Sequence, residues 1–226
     1  MIGIIGAMQT EVDLLISKIT DAKIKTISGI DFVSGKLCER EVVVAKCGIG
    51  KVFASLCAQT MILEYKVELL INTGVGGAIS LDLDIGDIVV SDSVVQHDMD
   101  TTALGDPIGL ISGINVVKID ADRRIIKALC GAAERQGARC VVGTIASGDT
   151  FISSMDKKRM LADTFGAYVC EMEGAAIGQV CYVNKVPFCV IRAVSDKADG
   201  SSGVDYMTFV ASAAKKNAEV VLEYLK

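Results

Sequence analysis

Apolar positions along the chain switch between two periods. Ile2 to Ile5 is a short apolar run closed by Gly6, and Val12, Leu15, Ile16 and Ile19 then recur at i, i+3, i+4 and i+7, which predicts a strand, a turn and an amphipathic helix. Ile24 to Ile27, Phe32 with Val33, and Val42 to Ala45 are β-rich stretches punctuated by Gly29 and Gly35, the pattern of a meander or hairpins. Helical spacing returns over Lys51 to Glu64, after the Gly48-Ile-Gly50 turn. Val67 to Ile71 and Asp87 to Val95 read as central strands buried on both faces. A helix face through Ile125, Ile126, Leu129, Cys130 and Ala133 precedes a strand at Cys140 to Ala146. Strand Ala167 to Cys170, a helix face through Ala176, Ile177, Val180 and Cys181, and strand Pro187 to Val194 follow. A terminal helix turns Val210, Ala213, Ala214, Val221 and Leu225 inward. Strands alternating with helices predict an α/β domain around a mostly parallel sheet, and no linker, low-complexity tract or internal repeat divides residues 1–226.

Composition narrows the classes. The 226 residues are 51% apolar and 23% charged, enough to bury roughly 70–75% of the unfolded chain's surface without a metal or disulfide staple. A formal net charge of −5 offers no basic field for a polyanion, and 5% aromatic residues are too few for a base-stacking platform, so nucleic acid is not an expected partner. The eight cysteines, at 38, 47, 57, 130, 140, 170, 181 and 189, form no C-x-x-C pair and read as buried thiols of a reducing compartment. With His97 the only imidazole, no metal site is expected. The start of the chain has no basic segment before an apolar one, and uncharged stretches such as Leu69 to Leu81 are too short to span a bilayer, so a cytoplasmic location with no membrane partner is expected.

Ligands of open α/β sheets sit beyond the carboxyl ends of strands, and here those ends are polar. Gly6-Ala-Met-Gln-Thr-Glu11, Asn72-Thr-Gly-Val-Gly-Gly77, Ser147-Gly-Asp-Thr-Phe151 and Ala193-Val-Ser-Asp196 each follow an apolar strand, and Glu171-Met-Glu173-Gly174 lies between a strand and a helix. Neither G-x-G-x-x-G nor G-x-x-x-x-G-K-[ST] occurs, and no G-x-S-x-G, which demotes dinucleotide, P-loop and serine-hydrolase chemistry. What remains is a carboxylate set, Glu11, Glu171, Glu173 and Asp196. Such a set suits glycosidic hydrolysis: one group protonates the leaving group, one activates water, and negative charge stabilises an oxocarbenium-like sugar. Each residue also has a structural reading. Glu11 and Glu173 suit a helix start, Asp196 a turn cap, Phe151 and Met172 the core, His97 a satisfied structural role, and Arg192 a simple ion pair.

Taken together, Ile2-Gly-Ile-Ile-Gly-Ala-Met-x-x-Glu11, Gly48-Ile-Gly-Lys51, Asn72-Thr-Gly74, Gly86-Asp-Ile-Val-Val-Ser91, His97-Asp98, Ser147-Gly-Asp-x-Phe-Ile152, Glu171-Met-Glu173 and Ser195-Asp196 resemble the bacterial 5′-methylthioadenosine/S-adenosylhomocysteine nucleosidases over essentially the whole chain. The resemblance implies a nucleoside phosphorylase-like fold, a single-domain three-layer sandwich with a mixed, mostly parallel central sheet. It also implies a homodimer that needs no cofactor and releases adenine from thionucleosides. By the same resemblance Glu11 helps activate water, Glu173 holds the ribose hydroxyls, and Asp196, oriented by Ser195, serves adenine N7. Phe151 stacks near the base, Ile152 adds backbone contacts, Met172 lies against the ribose, and Tyr206 covers the 5′ substituent. Arg192 and Glu171 support this arrangement, and Met8 and Ile49 complete the substrate-binding candidates. Val75 and Leu104 stand where relatives often carry Ser and Phe, which leaves the ranking of thio-substituted substrates open. Two rival readings remain: a phosphorylase of the same fold, which would want a cationic cradle for phosphate, and a noncatalytic purine-binding protein.

Overall fold

A computed structural model describes residues 1–226. The elements in chain order are β1 (Ile2–Gly6), α1 (Gln9–Ile16), β2 (Thr20–Ile27), β3 (Ile30–Leu37), β4 (Arg40–Lys46), α2 (Lys51–Tyr65), β5 (Leu69–Ala78), β6 (Ile88–Gln96), β7 (Lys118–Asp120), α3 (Arg123–Arg135), β8 (Cys140–Ser147), α4 (Met155–Phe165), β9 (Ala167–Glu171), α5 (Gly174–Asn184), β10 (Phe188–Asp196) and α6 (Ser202–Leu225). One sheet runs β2-β3-β4-β1-β5-β9-β8-β6-β10, and β10 also pairs with β5, so its second half closes into a ring of five strands. Helices α1, α3 and α6 pack on one another on one side, and α2 packs with α5 on the other. A cluster of 55 buried apolar residues fills the space between these layers and the sheet.

The apolar runs form the elements their periods predict, with instructive exceptions. Helix α1 stops at Ile16, capped by Ser17, and Ile19 packs instead over Gly35 of β3 as the chain turns into β2. The β2–β3–β4 segment is the expected meander. The sheet is mixed, but its parallel share is smaller than the strand–helix alternation implies, since five of the ten pairings are antiparallel. Two of the five close the ring, β9 against β5 and β10 against β6; two more belong to the meander, and one joins β7 to β6. Five of the cysteines are buried, but Cys38 is exposed and Cys130 and Cys140 are half-buried. No helix is long and apolar enough to cross a membrane.

Strand β5 decides where a site forms. Its first edge pairs with β1 through Asn72 and with β9 only from Gly77 onward. Between those points the edge is open, and the backbone N–H of Val75 is taken by a side chain, Glu11, rather than by a strand.

Candidate active site

A cavity of about 320 Å³ opens at the carboxyl ends of β1, β5, β9 and β10. Of the twelve candidate residues, eleven line it: Met8, Glu11, Ile49, Phe151, Ile152, Glu171, Met172, Glu173, Ser195, Asp196 and Tyr206. Arg192 does not. It is 2% exposed and lies beneath the floor, so of the substrate-binding candidates it alone has no place on the wall and can act only as support.

Glu11 sits in the first turn of α1 and is buried. Its Oε2 accepts from the N–H groups of Ala7 (2.7 Å) and Met8 (2.9 Å), and its Oε1 accepts from Val75 (3.0 Å). Helix-start placement and carboxylate chemistry therefore coincide, since the amides just before α1 and one of β5 grip the group that faces the cavity. Burial nevertheless raises the Glu11 pKa, against the lowering effects of Arg192 and the three amides. Gly74 makes the approach possible: a Cβ there would stand 2.5 Å from Glu11 Oε1.

Glu171 and Glu173 flank the start of α5. Glu171 accepts from the N–H groups of Glu173 (3.0 Å) and Gly174 (2.8 Å), from the Ser147 hydroxyl, and from the Arg192 guanidinium in a buried ion pair. Arg192 also donates to the side-chain and backbone oxygens of Asn72, so β5, β9 and β10 meet at one buried polar knot. Glu173 has far less. Its Oε1 accepts one bond, from the Gly50 N–H at 2.8 Å, and its Oε2 stands 4.0 Å from Arg192. Burial, then the neighbouring Glu171 charge, push the Glu173 pKa up to about 8. Gly50, at φ 97°, is in the left-handed region that turns this amide toward Glu173 as α2 begins.

At the other end, Asp196 Oδ2 accepts from the Ser195 hydroxyl at 2.9 Å and Oδ1 from the Ala198 N–H at 2.9 Å. Both residues are buried at the end of β10. Phe151 and Tyr206 meet edge to face at 5.7 Å, and the Tyr206 hydroxyl donates to Met8 Sδ at 3.0 Å, which forms an apolar rim from three distant segments. Phe151 remains 48% exposed, so the rim is open to incoming ligand rather than part of the core.

Sequence reasoning missed several wall residues, namely Ala7, Gly76, Gly77, Thr150 and Cys170. The Gly-rich end of β5 was a visible signal for two of them; Cys170, read only as a buried thiol, had none. His97 stays off the wall, packed against Gly148, with its Nε2 buried and unpartnered rather than satisfied. Burial lowers the His97 pKa. The charged residues on the wall are four carboxylates, and no Lys, Arg or His joins them. No group of three or more His, Cys, Asp or Glu is placed to hold a metal ion.

Comparisons with known proteins meet this geometry. The phosphorylase superfamily profile matches residues 1–226. The 5′-methylthioadenosine/S-adenosylhomocysteine nucleosidase of Shewanella loihica is 42% identical over 227 aligned positions, covering 100% of this chain and 98% of that protein. The solved structure of the Neisseria meningitidis nucleosidase of the same name, in complex with methylthio-immucillin-A, superposes with a TM-score of 0.96 at 33% identity, covering 100% of this chain and 98% of that one. A futalosine hydrolase of Helicobacter pylori superposes with a TM-score of 0.94 at 33% identity, covering 99% and 96%. With a full-length match in both sequence and fold, the chain belongs to the phosphorylase superfamily and, within it, to the 5′-methylthioadenosine/S-adenosylhomocysteine nucleosidases.

Proposed function

We propose that this chain is an N-glycosyl hydrolase that cleaves 5′-methylthioadenosine and S-adenosylhomocysteine, releasing adenine and the thioribose product, with residues 1–226 acting as one nucleosidase domain. One observation carries the choice of hydrolysis over phosphorolysis. The cavity wall bears four carboxylates and no cation, while the nearest arginine is turned away into an ion pair with Glu171. A phosphate anion would find no cation there to hold it, whereas neutral water needs none.

In this reading Glu11 takes a proton from the attacking water as oxygen bonds to the anomeric carbon. Its burial makes it a stronger base than a solvated carboxylate. Glu173 accepts hydrogen bonds from the ribose hydroxyls, and its charge stabilises the oxocarbenium-like transition state. Asp196 delivers a proton to N7 as the bond from the sugar to N9 breaks, with the Ser195 hydroxyl and the Ala198 amide fixing the carboxyl. Phe151 and Ile152 take the base, Met172 the ribose, and Met8, Ile49 and Tyr206 the 5′ substituent. Arg192 and Glu171 act from below by holding the start of α5, and so Glu173, in place.

The test is adenine release from 5′-methylthioadenosine by purified protein, with and without phosphate, and the sugar product identified by mass. Free methylthioribose without phosphate is the expected result. A strict phosphate requirement with a sugar 1-phosphate product overturns it in favour of a phosphorylase, and adenine binding without release favours the noncatalytic reading. The structural likeness to a futalosine hydrolase makes that nucleoside the substrate to run alongside.

The same proposal places the protein in the cytoplasm, in methionine salvage, as a homodimer. The last rests on exposed apolar side chains at Leu104 and, on α2, at Val52, Phe53 and Leu56. Light scattering at working concentration checks it, and a monomer refutes it.

A further inference from the structure

Four motif residues, Lys51, His97, Asp98 and Asp149, have no part in the chemistry above, yet the chain brings them together from three separate places. Lys51 opens α2, His97 and Asp98 follow β6, and Asp149 lies in the turn after β8. Three of them close a ring. Lys51 Nζ donates to Asp98 Oδ1 at 2.6 Å, the Asp149 N–H donates to Asp98 Oδ2 at 3.0 Å, and the Lys51 N–H donates to Asp149 Oδ1 at 2.9 Å. Lys51 Nζ also reaches Gln96 Oε1 at 3.2 Å. Lys51 and Asp98 are only partly exposed, with side-chain accessibilities of 20% and 27%, which sets their pair apart from a fully solvated surface bridge.

The ring touches the cavity at two points. The amide just before Lys51 is Gly50, the donor to Glu173 on the ribose side. The residues just after Asp149 are Thr150, Phe151 and Ile152, which line the base side. Consecutive amides at the start of α2 thus grip two carboxylates, Glu173 and Asp149, and Asp98 with the Lys51 ammonium locks the second of them.

We infer that Lys51, Asp98 and Asp149 are positioning residues that set the Phe151 turn and the Gly50–Glu173 contact in register with each other. The inference rests on the nucleosidase reading for what the two walls hold, and on geometry alone for the coupling between them. Loss of the ring releases both walls together, while the residues that would touch substrate stay intact. A misplacement on the order of 1 Å in such a wall costs about 100-fold in rate.

The deciding experiment pairs kinetics with a double-mutant cycle. Asp98→Ala is expected to lower kcat/KM for 5′-methylthioadenosine about 10- to 100-fold and to weaken adenine binding in calorimetry. In a Phe151→Ala background the same substitution is expected to change adenine binding by no more than about 2-fold, since the turn it holds no longer carries the ring. Arg139→Ala, which breaks the Arg139–Asp87 pair away from the cavity wall, is a control expected to keep wild-type kcat/KM. Unchanged kcat/KM in Asp98→Ala, or full additivity in the cycle, overturns the inference. Should Asp98→Ala fail to fold, Lys51→Met is read the same way, with Lys51→Arg expected to restore activity because it still donates to Asp98. If the wild type binds adenine but hydrolyses no nucleoside, the hydrolase reading fails and the binding cycle alone decides the clamp.

Discussion

Glu171 and Glu173 stand two residues apart, both buried, and meet opposite surroundings. Every oxygen of Glu171 is met by donors, including a guanidinium, so its charge is compensated and its carboxyl serves as a fixture between β9, α5 and β10. Glu173 has one amide and a cation at 4.0 Å, and its pKa rises to about 8. The difference teaches how one short sequence supplies both scaffold and chemistry. A compensated carboxylate holds position, and an uncompensated one is available to a cation that arrives only in the transition state. Glu11 stands between them: amides meet both its oxygens, but no cation contacts it, its pKa is raised by burial, and it faces the cavity.

The sharpest test of this division exchanges the expected symptoms. Asp196→Asn keeps both caps geometrically possible, so we expect the fold intact and turnover down about 100- to 10,000-fold; near wild-type rates would remove Asp196 as the acid. Glu171→Gln should do the reverse, with stability as the first casualty. Its amide nitrogen would face only donors and Arg192 would lose its buried partner, a cost of about 3–5 kcal/mol, read as a large drop in Tm. An unchanged Tm would break the comparison at its scaffold end. Glu11→Gln is expected to lower kcat about 100-fold with little change in adenine affinity. Gly74→Ala should reach a similar end through geometry, because the new methyl stands 2.5 Å from Glu11 Oε1, and a crystal structure would show the carboxylate displaced.

The strands and the polar turns beyond them were legible because buried parallel strands must be apolar runs and ligand-facing turns must not be. Other features were hidden for physical reasons. Helix α4 turns Lys158, Leu161 and Phe165 inward, and a lysine in the buried stripe erases the apolar period; its ammonium is satisfied by the Lys197 carbonyl at 2.6 Å. β7, three residues long, is too short to carry any period. The site residues were legible as a group but not as individuals. Nothing in Glu171-Met-Glu173 tells which carboxylate turns down toward Arg192, because that guanidinium arrives from β10, over a long sequence separation, through ring closure of the sheet. The same long-range closure puts Arg192 beneath the wall, where it pairs with Glu171 and touches none of the cavity.

The remaining test separates the two glutamates by titration. The Glu173 pKa is about 8 in the folded chain and near 4.5 when exposed in the unfolded one. Because folding raises it, the wild type is favoured while the group is protonated, at pH below about 4.5, and that stabilisation is lost as pH rises through about 8. Glu173→Gln cannot ionise, yet its amide oxygen still accepts from the Gly50 N–H. Its Tm should therefore match wild type near pH 4.5, exceed it increasingly toward pH 8, and hold a constant excess above that, while activity on ribosides falls. A group that carries function at the expense of stability behaves this way, and a compensated one does not. Thermal melts of both proteins across that range decide it: a difference in Tm that stays flat from pH 4.5 to 8 would mean that Glu173 is compensated like Glu171, and the contrast between the two carboxylates would collapse.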